Sequence, residues 1–171
     1  MNHMRCLGRP FHRAGTIAGW GRVAETVPER PGVYAILWPI ARAPSFLLKS
    51  PAGHWKGKDP TVRGDRLVAR WVEGTSILYI GAAANLRQRI QLLVSFGAGH
   101  PVMHWGGRAL WQLEGIETAH IAWSLTLKNC ERCIENELLA AFKSKYLSLP
   151  FANLSGPKRH EALHEGCIWG S

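Results

Sequence analysis

The apolar positions of the chain fall into a few runs, and their spacing distinguishes strands from helices. Ile77-Leu78-Tyr79-Ile80 is a short continuous apolar run that stops at Gly81, which predicts a buried strand ended by glycine. Leu86, Ile90 and Leu93 then recur at helical steps, predicting a helix over residues 86–96. Gly97-Ala98-Gly99-His100-Pro101 ends it. Upstream, Pro31-Gly32 is a turn signal that launches a second apolar run over 33–38. That run is almost wholly apolar, so it is expected at the centre of a sheet rather than at its edge. Residues 121–125 alternate in character and predict a third strand. Residues 130–146 carry the strongest helical pattern, with Ile134, Leu138, Ala141 and Phe142 at three- and four-residue steps.

Between these runs the pattern is weaker. Residues 1–19 contain Gly, Pro and Arg among polar positions and read as a flexible tail. Trp20, Val23, Ala24 and Val27 suggest a short strand or turn. Residues 39–70 form a long connection broken by Pro39, Pro44, Pro51 and Pro60, so no long helix crosses its first part. A short helix over 63–71 is predicted from Leu67, Val68 and Trp71. Residues 104–113 begin as a Gly-rich turn and end as a short helix, and residues 155–171 form a mostly polar tail. The order is strand, insertion, strand, helix, short helix, strand, helix. It predicts one α+β domain with a small, mostly antiparallel three-stranded sheet flanked by helices.

Composition narrows the class of partner. The chain has 171 residues and 21 Lys+Arg against 12 Asp+Glu, a formal charge of +9. Such a balance suits a polyanion, and arginine, the commoner base here, favours planar contact with phosphate. No apolar run is long enough for a membrane span. The basic N-terminal residues are followed by no apolar stretch of the kind a secretory signal needs. Cys6, Cys130, Cys133 and Cys167 are too few and scattered for a disulfide scaffold, which fits a reducing cytoplasmic setting. Cys130 and Cys133 make a CxxC, but it lies within a predicted helix and lacks a second pair. Two small helix-face residues is the better account than zinc.

Several residues carry candidate chemistry. Tyr34 and Tyr79 sit on the first two predicted strands, and Arg89 lies about two turns along the helix that follows Tyr79. A strand-end phenol and a helix-borne guanidinium can face each other across a cleft. On the last helix, Glu135 has Leu138 and Leu139 three and four positions on, so it shares their inward face. Glu137 is the reserve acid, because only Ala140 and Ala141 follow it at those steps. Taken singly, each of these has an ordinary reading as a buried tyrosine or a surface charge.

Together they resemble the GIY-YIG nuclease superfamily. The likeness rests on Gly32-Val33-Tyr34, Tyr79-Ile80-Gly81, Arg89 ten positions after Tyr79, Glu135, and Pro150-Phe151-Ala152-Asn153 after the last helix. It covers roughly residues 28–155, and the long insertion stands outside it. The His104-Trp105-Gly106-Gly107-Arg108 segment is similar to an uncharacterised bacterial subgroup of that superfamily.

The resemblance implies a metal-dependent DNA endonuclease acting on double-stranded DNA. Tyr34 and Tyr79 would position or deprotonate water, and Arg89 would bind the scissile phosphate. Glu135 would hold a single Mg²⁺ or Mn²⁺. Gly32, Gly81, Asn153 and His104 would support the site, and Arg87, Arg108, Lys158 and Arg159 are candidates for phosphate contact. Two departures stand out. Ala82 occupies a position where many members carry lysine, and Leu93 one where some carry histidine. His100 and His104 in the following loop are the candidates to take over. The alternatives are a binding module on the same fold without catalysis, and, from a different class, a small-molecule hydrolase on an unrelated α+β fold.

Overall fold

The computed structural model describes residues 3–39 and 43–156. It is α+β, built on a five-stranded antiparallel sheet. The strands are β1 (His3–Cys6), β2 (Arg9–Thr16), β3 (Gly32–Leu37), β4 (Ile77–Ala83) and β5 (His120–Leu125), in the order β1-β2-β5-β3-β4. The α-helices are α1 (Trp20–Val23), α2 (Gly64–Arg70), α3 (Leu86–Gly97) and α4 (Glu131–Tyr146). Short 3₁₀ segments cover Ala24–Thr26, Trp105–Gln112 and Ile116–Thr118.

The three strands expected from the apolar runs are β3, β4 and β5, and β3 is indeed interior, between β5 and β4. All six of its residues are buried. Val33, Ala35 and Leu37 face α4, where Ile134, Leu138, Leu139 and Phe142 pack. Tyr34 and Ile36 face the other way, toward Leu86, Ile90, Leu93 and Phe96 of α3. Helices thus cover both faces of the central strands. Burying each of these aliphatic or aromatic side chains is worth about 1.5–3 kcal/mol.

Two expectations need correction. The sheet has five strands rather than three, because residues 3–16, expected as a flexible tail, form the β1–β2 hairpin. Leu7 and Gly8 make its two-residue turn, with φ of 50° and 82°, the geometry that matches strand twist. Phe11 and Cys6 are buried in the α4-side core, and His12 stacks on Trp123 of β5 at 4.5 Å between ring centroids. So few apolar anchors hide a strand from a periodicity reading. Residues 20–23 form a helical turn where a strand or turn was expected, with Trp20 buried and its indole N–H donating to Gln91 Oε1 at 2.6 Å.

The insertion is packed rather than loose. Gln112 is 1 % exposed and binds it on both sides. Its Oε1 accepts from Val62 N (2.6 Å), and its Nε2 donates to Val62 O (3.0 Å) and Leu47 O (3.1 Å). Each buried main-chain group satisfied this way avoids a desolvation cost of about 1–3 kcal/mol.

β4 ends the strand order, and its outer edge is covered by the segment after α4. Ala152 N donates to Leu78 O at 2.9 Å. The Asn153 side chain pairs with Ile80 in the manner of a neighbouring strand, Oδ1 accepting from Ile80 N (2.9 Å) and Nδ2 donating to Ile80 O (2.8 Å). This closes an edge that would otherwise offer free N–H and C=O groups. Among the described residues, no helix is long and apolar enough to cross a membrane.

Candidate functional site

A cavity of about 660 Å³ opens where β4, α3, α4 and the Trp105–Gln112 segment converge. Tyr79, Arg89, Trp105, Arg132, Glu135 and Asn153 are among the residues that line it. Tyr79 and Arg89 lie on the α3 side of the sheet and Glu135 comes from α4 on the opposite face. They meet because β4 is the last strand in the order, so both helices reach past its end. Ala82, Ala83 and Ala84 line the cavity there and leave it open.

Tyr79 reaches the cavity through an irregularity in its strand. The β3–β4 register shifts between Ile36↔Tyr79 and Leu37↔Ile77, so Leu78 and Tyr79 both pack on the α3 side. Shifts of this kind re-aim side chains. Tyr34 lies beside it, with ring centroids 5.9 Å apart and planes at 49°. Tyr34 sits opposite Gly81 in the ladder. A Cβ on Gly81 would come within 2.6 Å of Tyr34 Cζ and 2.7 Å of its hydroxyl. Glycine is therefore what admits the Tyr34 ring. Gly32 is equally constrained, since a Cβ there would lie 2.4 Å from Ser124 O and 2.6 Å from Leu86 Cδ1.

The third member of this buried group is His104. It is fully buried, and its Nε2 lies 2.9 Å from the Tyr34 hydroxyl. Its ring is 6.0 Å from that of Tyr79. Burial, reinforced by Arg89, pushes the His104 imidazole down to about 3, so it is neutral at physiological pH and Nε2 accepts the Tyr34 proton when the other nitrogen carries the hydrogen. Burial pushes the Tyr34 phenol well above its usual value, with Tyr79 adding and Arg89 opposing. Burial also raises Tyr79, helped by the Glu135 carboxylate and opposed by Arg89. Both tyrosines are thus neutral phenols at neutral pH, able to orient a water but not ionised in advance.

The charged groups stand around this neutral cluster. Arg89 is half-buried and its Nη1 donates to Met103 O at 3.0 Å. The Glu135 side chain is 17 % exposed, with Arg132 Nη1 at 3.9 Å from its Oε2. Glu137 is ion-paired to Arg9 of β2 and does not line the cavity. Among the described residues no cluster of three or more His, Cys, Asp or Glu side chains could cage a metal. A hard divalent cation needs less, being commonly held by one or two carboxylates completed by water and substrate oxygens. Glu135, at the wall of a cavity with room for both, fits that arrangement.

The remaining predicted residues fall in different places. Asn153 lines the cavity and holds β4 as described. Arg108 does not line it; its guanidinium lies 4.6 Å over the ring of Trp105, which does. Arg87 does not line the cavity: its donors go to Val27 O (2.8 Å), Glu29 Oε1 (2.8 Å) and Glu25 O (3.1 Å), tying α3 to the preceding turn. His100 is exposed. Lys158 and Arg159 lie outside the described residues. Arg132 was not singled out from sequence, although its position three residues before Glu135 on one helix was the available signal. Arg70 was also missed. It reaches from α2 to donate to Phe151 O (3.1 Å) and to Asn153 O. No local pattern could have revealed a contact across more than eighty residues.

No family model matches the chain, and no curated protein or solved structure matches it. The functional reading therefore rests on the residues and their geometry.

Proposed function

We propose that this protein is a metal-dependent endonuclease of the GIY-YIG kind that hydrolyses phosphodiester bonds in double-stranded DNA. The observation that carries the reading is the convergence of Tyr79, Arg89 and Glu135, from a strand and two helices on opposite sheet faces, on one cavity. Nothing in packing alone requires a guanidinium, a carboxylate and a phenol to share it.

The division of labour follows from the chemistry of each group. Arg89 binds the scissile phosphate, its planar fork matching two phosphate oxygens. Glu135 holds the Mg²⁺ or Mn²⁺ ion, and a bound divalent cation supplies Lewis acidity toward a phosphate oxygen. Tyr79, neutral and facing the cavity, accepts a hydrogen bond from the attacking water and fixes its direction. Tyr34 and neutral His104 hold the Tyr79 ring from behind. The water oxygen bonds to phosphorus and one P–O ester bond breaks; the attacking water gives its proton to solvent in the open cavity, and the departing ester oxygen takes one up from solvent. The charge of +9 suits a DNA partner.

A second reading has a specific observation in its favour. Both phenols are raised rather than lowered in pKa, and Ala82 supplies no cation to counter this. A DNA-binding module without catalysis would show this too. A plasmid-nicking assay at low salt with Mg²⁺ or Mn²⁺ separates the two. Nicking that is lost in Glu135→Ala and on chelation is the expected result. Salt-sensitive binding without nicking by the wild-type chain would move the assignment to the binding module, and neither binding nor nicking would defeat both.

A further inference from the structure

Trp105 stands between the groups assigned to the phosphate and to the water. Met103, two residues before it, accepts a hydrogen bond from Arg89 Nη1 through its carbonyl oxygen at 3.0 Å. Gly106, the next residue, sits so close to Tyr79 that a Cβ there would lie 3.6 Å from the Tyr79 hydroxyl. Trp105 itself is half-buried and lines the cavity. The Arg108 guanidinium lies 4.6 Å over its ring, and Arg108 Nη1 donates to Trp105 O at 3.3 Å, yet Arg108 does not line the cavity. Arg108 therefore covers a ring face turned away from the cavity and holds the indole in place. The neighbouring wall is apolar. Met103 is 58 % exposed, and Leu92, three residues beyond Arg89 on α3, lines the cavity with it. At about 30 Å³ per water, a phosphate and a hydrated cation leave a large part of the roughly 660 Å³ unfilled. A tryptophan and an exposed methionine do nothing for the charge of a polyanion; they suit the flat face of a base.

We propose that Trp105 is a stacking platform for an unpaired base beside the scissile phosphate, so that the preferred substrate is a duplex interrupted by an unpaired nucleotide at the cut. The inference rests on the nuclease reading for its ligand, DNA, and narrows the class of DNA. In an uninterrupted duplex each base has its neighbours on both faces, and freeing one costs unstacking and unpairing energy. That cost is least for a base already unpaired. Such a base stacks on an aromatic side chain whatever its identity, so the platform selects for DNA structure rather than for sequence.

The test measures binding by anisotropy, with the full chain carrying Glu135→Ala to prevent cleavage. Three short duplexes are compared, identical except at the centre: fully paired, with one unpaired nucleotide, and with that nucleotide abasic. The base-bearing interruption is expected to bind about tenfold more tightly than either of the others. Trp105→Leu on the same background is expected to lose that preference and to keep its affinity for the paired duplex within about twofold. Trp105→Phe, which keeps a ring, should retain part of the preference. Equal affinity of the parent for all three duplexes overturns the platform and leaves the nuclease reading intact. Equal affinity for the abasic and base-bearing interruptions assigns the preference to flexibility of the DNA and also overturns it. So does a preference kept in full by Trp105→Leu or absent from Trp105→Phe. No binding of any duplex by the Glu135→Ala parent overturns the proposed function and the platform with it.

Discussion

Tyr79 forms the floor of the cavity with Tyr34 and His104 packed behind it, all three no more than 6 % exposed and without formal charge at neutral pH, while Arg89, Arg132 and Glu135 form a charged rim. The two regions are built from different requirements. The floor is rigid because its rings are locked among strands, glycines and one another, and the Tyr34 hydroxyl is paired with His104 Nε2 inside the protein. The rim keeps its charges near water, where an incoming polyanion can exchange with solvent. Burying the charges would have cost several kcal/mol each. Exposing the phenols would have surrendered the fixed orientation that makes a neutral hydroxyl useful. Floor changes should therefore affect folding and rate together, and rim changes should affect binding and rate with little loss of stability.

The largest rim effect is expected at Arg89. Arg89→Ala should lower the cleavage rate by about 10²–10³-fold, the usual scale for removing one preorganised donor from developing charge. Its thermal midpoint should stay close to wild type. A large loss of stability with unchanged rate per folded molecule would move Arg89 from the rim to the scaffold.

The largest floor effect on stability is a pH dependence. His104 has a folded pKa of about 3 against 6.5 for the free side chain, so between those values the unfolded chain binds the extra proton. Stability contributed by neutral His104 is complete above pH 6.5 and is lost as pH falls toward 3. The ceiling is on the order of 4 kcal/mol. Urea unfolding from pH 7 to pH 4 should show a steeper loss for wild type than for His104→Gln. Parallel losses would mean that His104 is not buried as a neutral base.

How much of this was legible beforehand depended on where each side chain's neighbours lie. β3, β4, α3 and α4 were readable because each has enough apolar residues at its own period to mark it. Glu135 was readable as inward-facing from Leu138 and Leu139, one turn on. The β1–β2 hairpin was not, because a polar strand at the side of a sheet keeps few apolar positions and Phe11 alone sets no period. The short helix expected within residues 104–113 is a 3₁₀ segment over Trp105–Gln112, and Gly106 and Gly107 give the reason it is not α-helical: glycine weakens regular helix. Arg70 and Gln112 act on backbone groups far away in sequence, a kind of contact no local pattern encodes. His104 was visible as a nearby histidine, but its place behind Tyr34 follows only from the fold.

Two smaller changes sharpen the same contrast on the floor side. Asn153→Ala removes both hydrogen bonds to Ile80 and leaves a buried N–H and C=O unpaired, at a cost of about 2–3 kcal/mol. Hydrogen exchange should show faster opening at the Ile80 amide than in wild type, and unchanged protection there would separate the Asn153 segment from the edge. Gly81→Ala forces the Tyr34 ring to move and should cost about 1–2 kcal/mol. Combining it with Tyr34→Ala, which removes the obstructing ring, should give less than the sum of the two losses. Strict additivity would show that the two residues do not meet.

The central claim is that a neutral floor phenol directs the water while the rim binds the DNA. Single-turnover cleavage by Tyr79→Phe, measured beside its DNA affinity, tests this most directly. The account predicts a rate lower by about 10²-fold with affinity within a factor of about two of wild type, because the lost hydroxyl faces water rather than phosphate. Wild-type cleavage rates in Tyr79→Phe would contradict it.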